Sequence, residues 1–442
     1  MNVSIIGTGY VGVVTGACLA EKGHHVTCVD IDPERVAMLN RAESPIFEAG
    51  LDELLRKHVG STLRATTDLP AAVSDSELTF IAVGTPFNGQ TIDLSAVMAA
   101  SRQIGSTLRN KTDYHVVVVK STVVPGTSDL HVIPALETAS GKRVGTDFGV
   151  GMNPEFLSEG EGIHDFMFPD RIVLGGNDAR TLDLLEALYR PFPAAPRIRT
   201  NTRTAELIKY SSNALLANLI SFSNELANLG AALGGIDTLE VMRGLHLSQY
   251  FTRRNADGLP PITAFLRAGC GFGGSCLPKD VKALIAHGQK AGLPMRLLQS
   301  VIEINEGQPR NVVALLEKRW SDLKGIRVAV LGLAFKPGTS DVRDSPAFPI
   351  LRELLERGAL AKAFDPVAMD EAHKAFPDAR LKYCNNLQAA LLDIDAIVVV
   401  TPWPEFQEVP ALIRGRQPAP VFVDARRAFP RDSVENYEGI GL

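Results

Sequence analysis

Apolar positions follow two rhythms along this chain. In the first half, short aliphatic runs at Val3–Ile6, His25–Val29, Leu78–Val83, Val116–Val119 and Arg171–Gly175 are separated by stretches with apolar residues every three or four positions. Such alternation predicts βαβ units on a parallel sheet. From Thr202 to Leu233 the chain is rich in Ala, Leu and Asn and has no proline. This predicts one helix, roughly 45 Å long at about 1.5 Å per residue, serving as a rod between domains or a face for a second copy. Residues 252–275 read as a loop with Pro260-Pro261 and five glycines, and helical periodicity resumes at Leu277, Val281, Leu284 and Ile285 and again near 295–320. A second βα alternation runs through Arg327–Leu331, Ala361–Phe364, Ala396–Val400 and Val421–Val423. The expected fold is α/β: two Rossmann-like, doubly wound parallel-sheet domains joined by a long central helix. The expected spans are 1–200, 201–324 and 325–442.

Composition narrows the function classes. The 442 residues suit about three folding units at ~150 residues each. With 45% hydrophobic and 21% charged residues, neither a disordered nor a fibrous chain fits. A net charge of −5 argues against a nucleic-acid or anionic-lipid partner. No apolar run approaches the ~18–20 residues of a membrane span. Met1–Gly7 enters a strand directly, without the basic and apolar regions of a secretory signal, so a cytoplasmic protein is expected. The five cysteines, at 18, 28, 270, 276 and 384, are widely and irregularly spaced, which points to reduced thiols and to no metal site.

Gly7-Thr8-Gly9-Tyr10-Val11-Gly12 follows a predicted strand and opens a predicted helix, the setting in which glycines let a pyrophosphate approach a helix N-terminus. Asp30 ends the second strand eighteen residues after Gly12, placed to bind an adenosine ribose and to repel a 2′-phosphate. NAD is the expected cofactor, with Arg35 the nearby feature that would tolerate NADP. Three pairs stand four residues apart: Glu155 with Glu159, Lys209 with Asn213, and Cys276 with Asp280. On a helix or helical turn each pair would share a face. Alone, the first two pairs also describe ordinary solvated helix faces. Cys276 is sharper, because it follows the permissive run Gly271-Phe272-Gly273-Gly274-Ser275 and precedes Pro278. A thiol at a helix start beside Lys279 is favoured as the thiolate, which suits a nucleophile. Cys18, Cys28 and Cys384 read as core residues, and Cys270 as a bystander.

These motifs, together with Gly84-Thr85-Pro86, Ser121-Thr122-Val123, Asn153-Pro154-Glu155-Phe156-Leu157 and Phe335-Lys336-Pro337-Gly338-Thr339, resemble the UDP-glucose/GDP-mannose dehydrogenase family over nearly the whole chain. The resemblance implies NAD-dependent oxidation of a nucleotide sugar at C6, from alcohol to carboxylate; the long helix 202–233, apolar on more than one side, separately leads to the expectation of a homodimer or larger homo-oligomer. The resemblance also implies Cys276 as nucleophile, Lys209 and Asn213 as oxyanion stabilisers, and Thr122, Glu159 and Asp280 as holders of the hydrolytic water, with Glu155 close to the sugar. Cofactor contacts would come from Gly7, Gly9, Val11, Gly12, Asp30, Arg35, Thr85, Thr122, Glu159, Lys279 and Arg343. Substrate contacts would come from Glu155, Phe156, Leu157, Lys209, Asn213, Phe265, Leu266, Arg267, Gly269, Gly273, Lys336 and Arg426. Between Leu247 and Ala264 the sequence departs from the family's commonest pattern. There Ser248-Gln249-Tyr250-Phe251 and Asp257-Gly258-Leu259-Pro260-Pro261 replace a shorter loop with a sugar-contacting arginine. UDP-glucose is the favoured substrate; GDP-mannose, another UDP-hexose, or a two-electron β-hydroxyacid reaction are the alternatives.

Overall fold

A computed structural model describes residues 1–192, 195–248, 251 and 260–442. The chain forms two compact units, Met1–Ser212 and Asn213–Leu442. Among the described residues, the first unit carries strands β1 (Asn2–Ile6), β2 (His25–Val29), β3 (Leu63–Thr66), β4 (Leu78–Ile81), β5 (His115–Val119), β6 (Phe148–Met152), β7 (Ile172–Gly176) and β8 (Arg197–Thr200). They form one sheet in the order β3-β2-β1-β4-β5-β6-β7-β8. Val3 pairs with Val26 on one side and Leu78 on the other. Every pairing is parallel except β6 with β7, where Met152 faces Gly175 in antiparallel sense.

Both faces of this sheet are covered, which is why its strands read as unbroken apolar runs. Val116 and Val118 join one buried cluster with Val13, Ala17 and Phe80, while Val117 and Val119 join the opposite one with Val97, Ile104 and Leu136. That split follows from the two-residue period of a strand. Each such side chain contributes roughly 1.5–3 kcal/mol by leaving water.

The second unit repeats the plan. Its strands are β9 (Arg327–Leu331), β10 (Leu360–Phe364), β11 (Lys382–Tyr383), β12 (Ala396–Val399), β13 (Val421–Asp424) and β14 (Asn436–Gly439). Their order is β11-β10-β9-β12-β13-β14, with every neighbour parallel. The helix Thr202–Leu233 has the predicted ends and passes from the first unit into the second; Thr238–His246, Leu277–Lys290 and Arg296–Glu317 follow it. The chain is thus an α/β protein with two Rossmann-like sheets and long helices between them in sequence.

Parallel strands direct the loops at their carboxyl ends to one edge, and the order reverses between β1 and β4, where a crevice opens. In the first unit Gly7 follows β1, Asp30 follows β2, Thr85 lies beyond β4, Thr122 beyond β5 and Glu155 beyond β6. Five sequence-predicted site positions therefore share one edge of one sheet.

Candidate active site

The glycine turn divides its labour. Gly7 has φ of 101°, a left-handed conformation that suits glycine, and a Cβ on Gly12 would stand 1.9 Å from the Gly7 carbonyl oxygen. At Gly9, the N-cap of the helix Tyr10–Glu21, nothing lies within 4 Å of where a Cβ would be. Space is therefore open beside Gly9 at that helix start, where a pyrophosphate can approach the helix N-terminus. Asp30 Oδ2 accepts from Thr8 N–H at 2.8 Å and from the Thr8 hydroxyl at 2.5 Å, and Oδ1 accepts from Asp32 N–H at 3.0 Å. Burial alone would raise its pKa, but the Thr8 and Asp32 donors and the Arg35 charge hold it below the ordinary carboxylate value. Arg35 donates to the Thr8 carbonyl at 3.3 Å, and Thr85 Oγ1 donates to the Thr122 carbonyl at 2.8 Å. These residues fit the adenosine and diphosphate of NAD.

Beyond β6 the chain differs from expectation. Glu155 and Glu159 do not share a helical face, because residues 153–158 have no helical structure. Pro154 disfavours helical backbone at Asn153, so the four-residue spacing there has no helical meaning. Glu155 instead makes a buried ion pair with Lys209 at 2.8 Å and accepts from Leu157 N–H at 2.7 Å. Burial pushes its pKa up, while Lys209 and Lys120 outweigh that and keep the carboxylate ionised. The Lys209 ammonium lies 5.6 Å from the Phe156 ring centre. Glu159 sits in a loop anchored by Glu48, which accepts from Gly160 N–H at 2.7 Å and from the Tyr10 hydroxyl at 2.6 Å.

Sequence reasoning passed over Glu48 and Lys120. Lys120 is fully buried just after β5 and donates to Asn153 Oδ1 at 2.9 Å; burial pulls its pKa down to about 8. A charge closing a run of four valines was the available signal.

In the second unit, Cys276 is the N-cap of the helix Leu277–Lys290, and its carbonyl accepts from Asp280 N–H at 2.8 Å. Cys276 and Asp280 thus do start one helix, with Pro278 at its second position. Asp280 is buried; its two oxygens accept from Asn213 Nδ2 and Lys279 Nζ, each at 2.6 Å. Of the five cysteines only Cys276 is half-exposed, its Sγ 3.6 Å from Ser275 Oγ. Burial raises the other four thiols, Cys18 and Cys28 to about 12.

The second unit also gathers positions expected to hold the sugar nucleotide. A Cβ on Gly269 would stand 3.3 Å from Arg426 Cδ, and one on Gly273 would stand 2.3 Å from the Asp344 carbonyl oxygen. The Gly274 N–H donates to the Arg343 carbonyl at 2.8 Å, and Lys336 lies over the Phe335 ring. Leu266 is buried, Phe265 half-buried, and Arg267 exposed. Gln249, Tyr250 and residues 252–259 of the departing segment lie outside the described residues. Among the described residues, no helix is long and apolar enough to cross a membrane, and no group of three or more His, Cys, Asp or Glu side chains is placed to hold a metal ion.

Comparison with known proteins converges on one family. The NAD binding domain of the UDP-glucose/GDP-mannose dehydrogenase family matches residues 1–193, its central domain residues 203–307, and its UDP binding domain residues 329–431. A UDP-glucose 6-dehydrogenase of Haloferax volcanii is 42% identical over 445 residues, covering 100% of both chains. A GDP-mannose 6-dehydrogenase of Pseudomonas aeruginosa is 38% identical, covering 90% of this chain and 89% of its own. A solved UDP-glucose dehydrogenase from Pyrobaculum islandicum superposes with a TM-score of 0.90 at 40% identity, over 99% of this chain and 97% of that one.

Proposed function

The chain belongs to the UDP-glucose/GDP-mannose dehydrogenase family, and from that premise we propose that it converts UDP-glucose to UDP-glucuronate through a thioester on Cys276. At the level of the family its activity is NAD-dependent oxidation of a nucleotide sugar at C6. Bound NAD supplies the hydride acceptor, once for each of two oxidations.

The chain's own groups do the rest. The Cys276 thiolate, favoured by the helix start it caps, bonds to the C6 aldehyde as a thiohemiacetal, which the second oxidation turns into a thioester. Water then adds to the thioester carbon, the carbon–sulfur bond breaks, and thiolate and carboxylate separate. Lys209 and Asn213, one turn apart on one helix, donate to the oxygen that gathers charge. Thr122, Glu159 and Asp280 hold the water and take its protons. Glu155 orients Lys209 and, with Phe156 and Leu157, borders the sugar. Phe265, Leu266, Arg267, Gly269, Gly273, Lys336 and Arg426 hold the nucleotide, while Val11, Arg35, Thr85, Lys279 and Arg343 line the cofactor.

The observation that carries this reading is the half-exposed helix-capping thiol, with a carboxylate one turn along fixed by Asn213 and Lys279. The test is a panel of UDP-glucose, UDP-galactose, GDP-mannose and UDP-N-acetyl sugars, scored by NADH yield with the parent and with Cys276→Ala. UDP-glucose should give the highest kcat/KM, and the variant should lose turnover by about 10³-fold or more. A higher kcat/KM with GDP-mannose overturns the substrate; a variant that keeps turnover overturns the thioester and favours a two-electron dehydrogenase.

A homodimer belongs to the same reading. Leu215, Phe222, Leu229 and Leu233 are exposed along the long helix at intervals of seven, seven and four, a stripe that suits a second copy. Light scattering at micromolar concentration should give at least twice the monomer mass, and a monomer would contradict it.

A further inference from the structure

The segment that carries Cys276 has no regular structure between Leu266 and the helix at Leu277, yet residues 268–274 are buried. Buried backbone has to find partners. Here they are supplied one at a time: Gly269 N–H donates to Asn224 Oδ1 at 2.7 Å, Cys270 N–H to the Ala425 carbonyl at 2.9 Å, and Gly274 N–H to the Arg343 carbonyl at 2.8 Å. At Phe272 one side chain serves both backbone groups. Asn305, on the helix Arg296–Glu317, accepts from Phe272 N–H at 2.7 Å and donates its Nδ2 to the Phe272 carbonyl at 3.0 Å. The carboxamide stands in for the peptide group of a neighbouring strand. The fit leaves no slack: Gly271 has φ of 96°, and a Cβ there would lie 2.7 Å from Asn305 Oδ1.

We infer that Asn305 is a positioning residue for the reaction, a clasp that fixes Gly269 and Gly273 against the substrate and sets Cys276 at its helix start; this rests on the reading of Cys276 as nucleophile. A run with glycines at 271, 273 and 274 has much conformational freedom to lose, so an unclasped loop spreads over many states. A displacement of about 1 Å at a reacting atom costs about 100-fold in rate.

Two variants test it. Asn305→Ala should lower kcat by about 10- to 100-fold well below its melting temperature, and speed amide hydrogen exchange in the peptide 268–276. Asn305→Asp is the finer probe. An ionised carboxylate still accepts from Phe272 N–H but opposes the Phe272 carbonyl with no donor, whereas the protonated carboxyl regains one. The ratio of Asn305→Asp to parent kcat should therefore climb as pH falls from 8 to 5.5, while the Asn305→Ala ratio stays flat. Lys282, Glu306, Arg343, Asp344 and Arg352, the charged side chains around the same cavity, are common to all three proteins, and Cys270 beside them is buried, so their titration cancels in the ratio. Parent-like kcat with unchanged exchange in Asn305→Ala, or a flat ratio in Asn305→Asp, overturns the clasp. If Cys276→Ala keeps turnover the nucleophile assignment falls instead, and the exchange measurement still decides whether Asn305 holds the loop.

Discussion

The two sheets share one strand order around their first strand, and the turn that leaves that strand opens on a glycine in each. Gly7 N–H donates to the Val29 carbonyl at 2.7 Å, and Gly332 N–H donates to the Phe364 carbonyl at 2.9 Å. Both glycines have positive φ, and each is pressed on the chain just past the end of the neighbouring strand, Gly7 on Ala82 and Gly332 on Thr401. Each second strand is followed by an aspartate, Asp30 in one and Asp365 in the other. There the likeness stops. The first turn reaches a helix at Tyr10, while in the second unit the next helix starts only at Ala347. Asp30 is half-exposed, whereas Asp365 is 0% exposed and accepts from the backbone of Leu333, Ala334, Val367 and Ala368 and from Trp403 Nε1. One topology therefore yields a dinucleotide turn in the first unit and, in the second, a long loop bearing Phe335, Lys336 and Arg343. The two turns thus differ in a few residues and not in strand order.

Breaking the sealed acid should have the largest effect. Asp365→Ala leaves five donors, four of them buried, without an acceptor and should cost about 4 kcal/mol, read as a fall in denaturation midpoint, with the NAD KM of the remaining folded enzyme unchanged. A raised NAD KM at parental stability would show that Asp365 serves a ligand.

The fifth strands sharpen the contrast, since β5 runs into the buried Lys120 and β13 closes on the buried Asp424. Burial lowers the folded pKa of Lys120 to about 8, so the unfolded chain binds more protons above that value and stability contributed at this site rises between pH 8 and 10.5. Lys120→Met should remove up to about 3 kcal/mol of that rise, seen by comparing urea midpoints of variant and parent at pH 7.5 and 10. Parallel profiles would contradict the assignment.

The open acid should give the smallest effect. Asp30→Ala should raise the NAD KM about tenfold, or about 1.4 kcal/mol, and leave the KM for the sugar nucleotide in place. An equal rise in both would place Asp30 in the scaffold.

Much of this contrast was legible in the sequence. The long helix shows both its ends because no proline or glycine pair interrupts it before Gly234-Gly235, and the apolar runs of the central strands announce sheets covered on both faces. The strands β3, β6, β8, β11 and β14 escaped notice. Phe148–Met152 carries two glycines, Arg197–Thr200 alternates charge, and Lys382–Tyr383 is only two residues long, so none offers a sustained apolar signal. The Gly7–Gly12 turn, Asp30 and the Cys276–Asp280 pair were visible because their chemistry is local. Lys209 with Glu155, and Asn305 with Phe272, were not: they meet across 54 and 33 positions, and only the folded chain brings their polar groups together.

The proposed activity is a four-electron oxidation carried on the Cys276 sulfur. Its most direct measurement is the yield of NADH from a limiting, weighed amount of UDP-glucose run to completion with excess NAD. Two NADH per sugar, with the uronate as sole product, is the expected result. One NADH per sugar, with the aldehyde released, would contradict it.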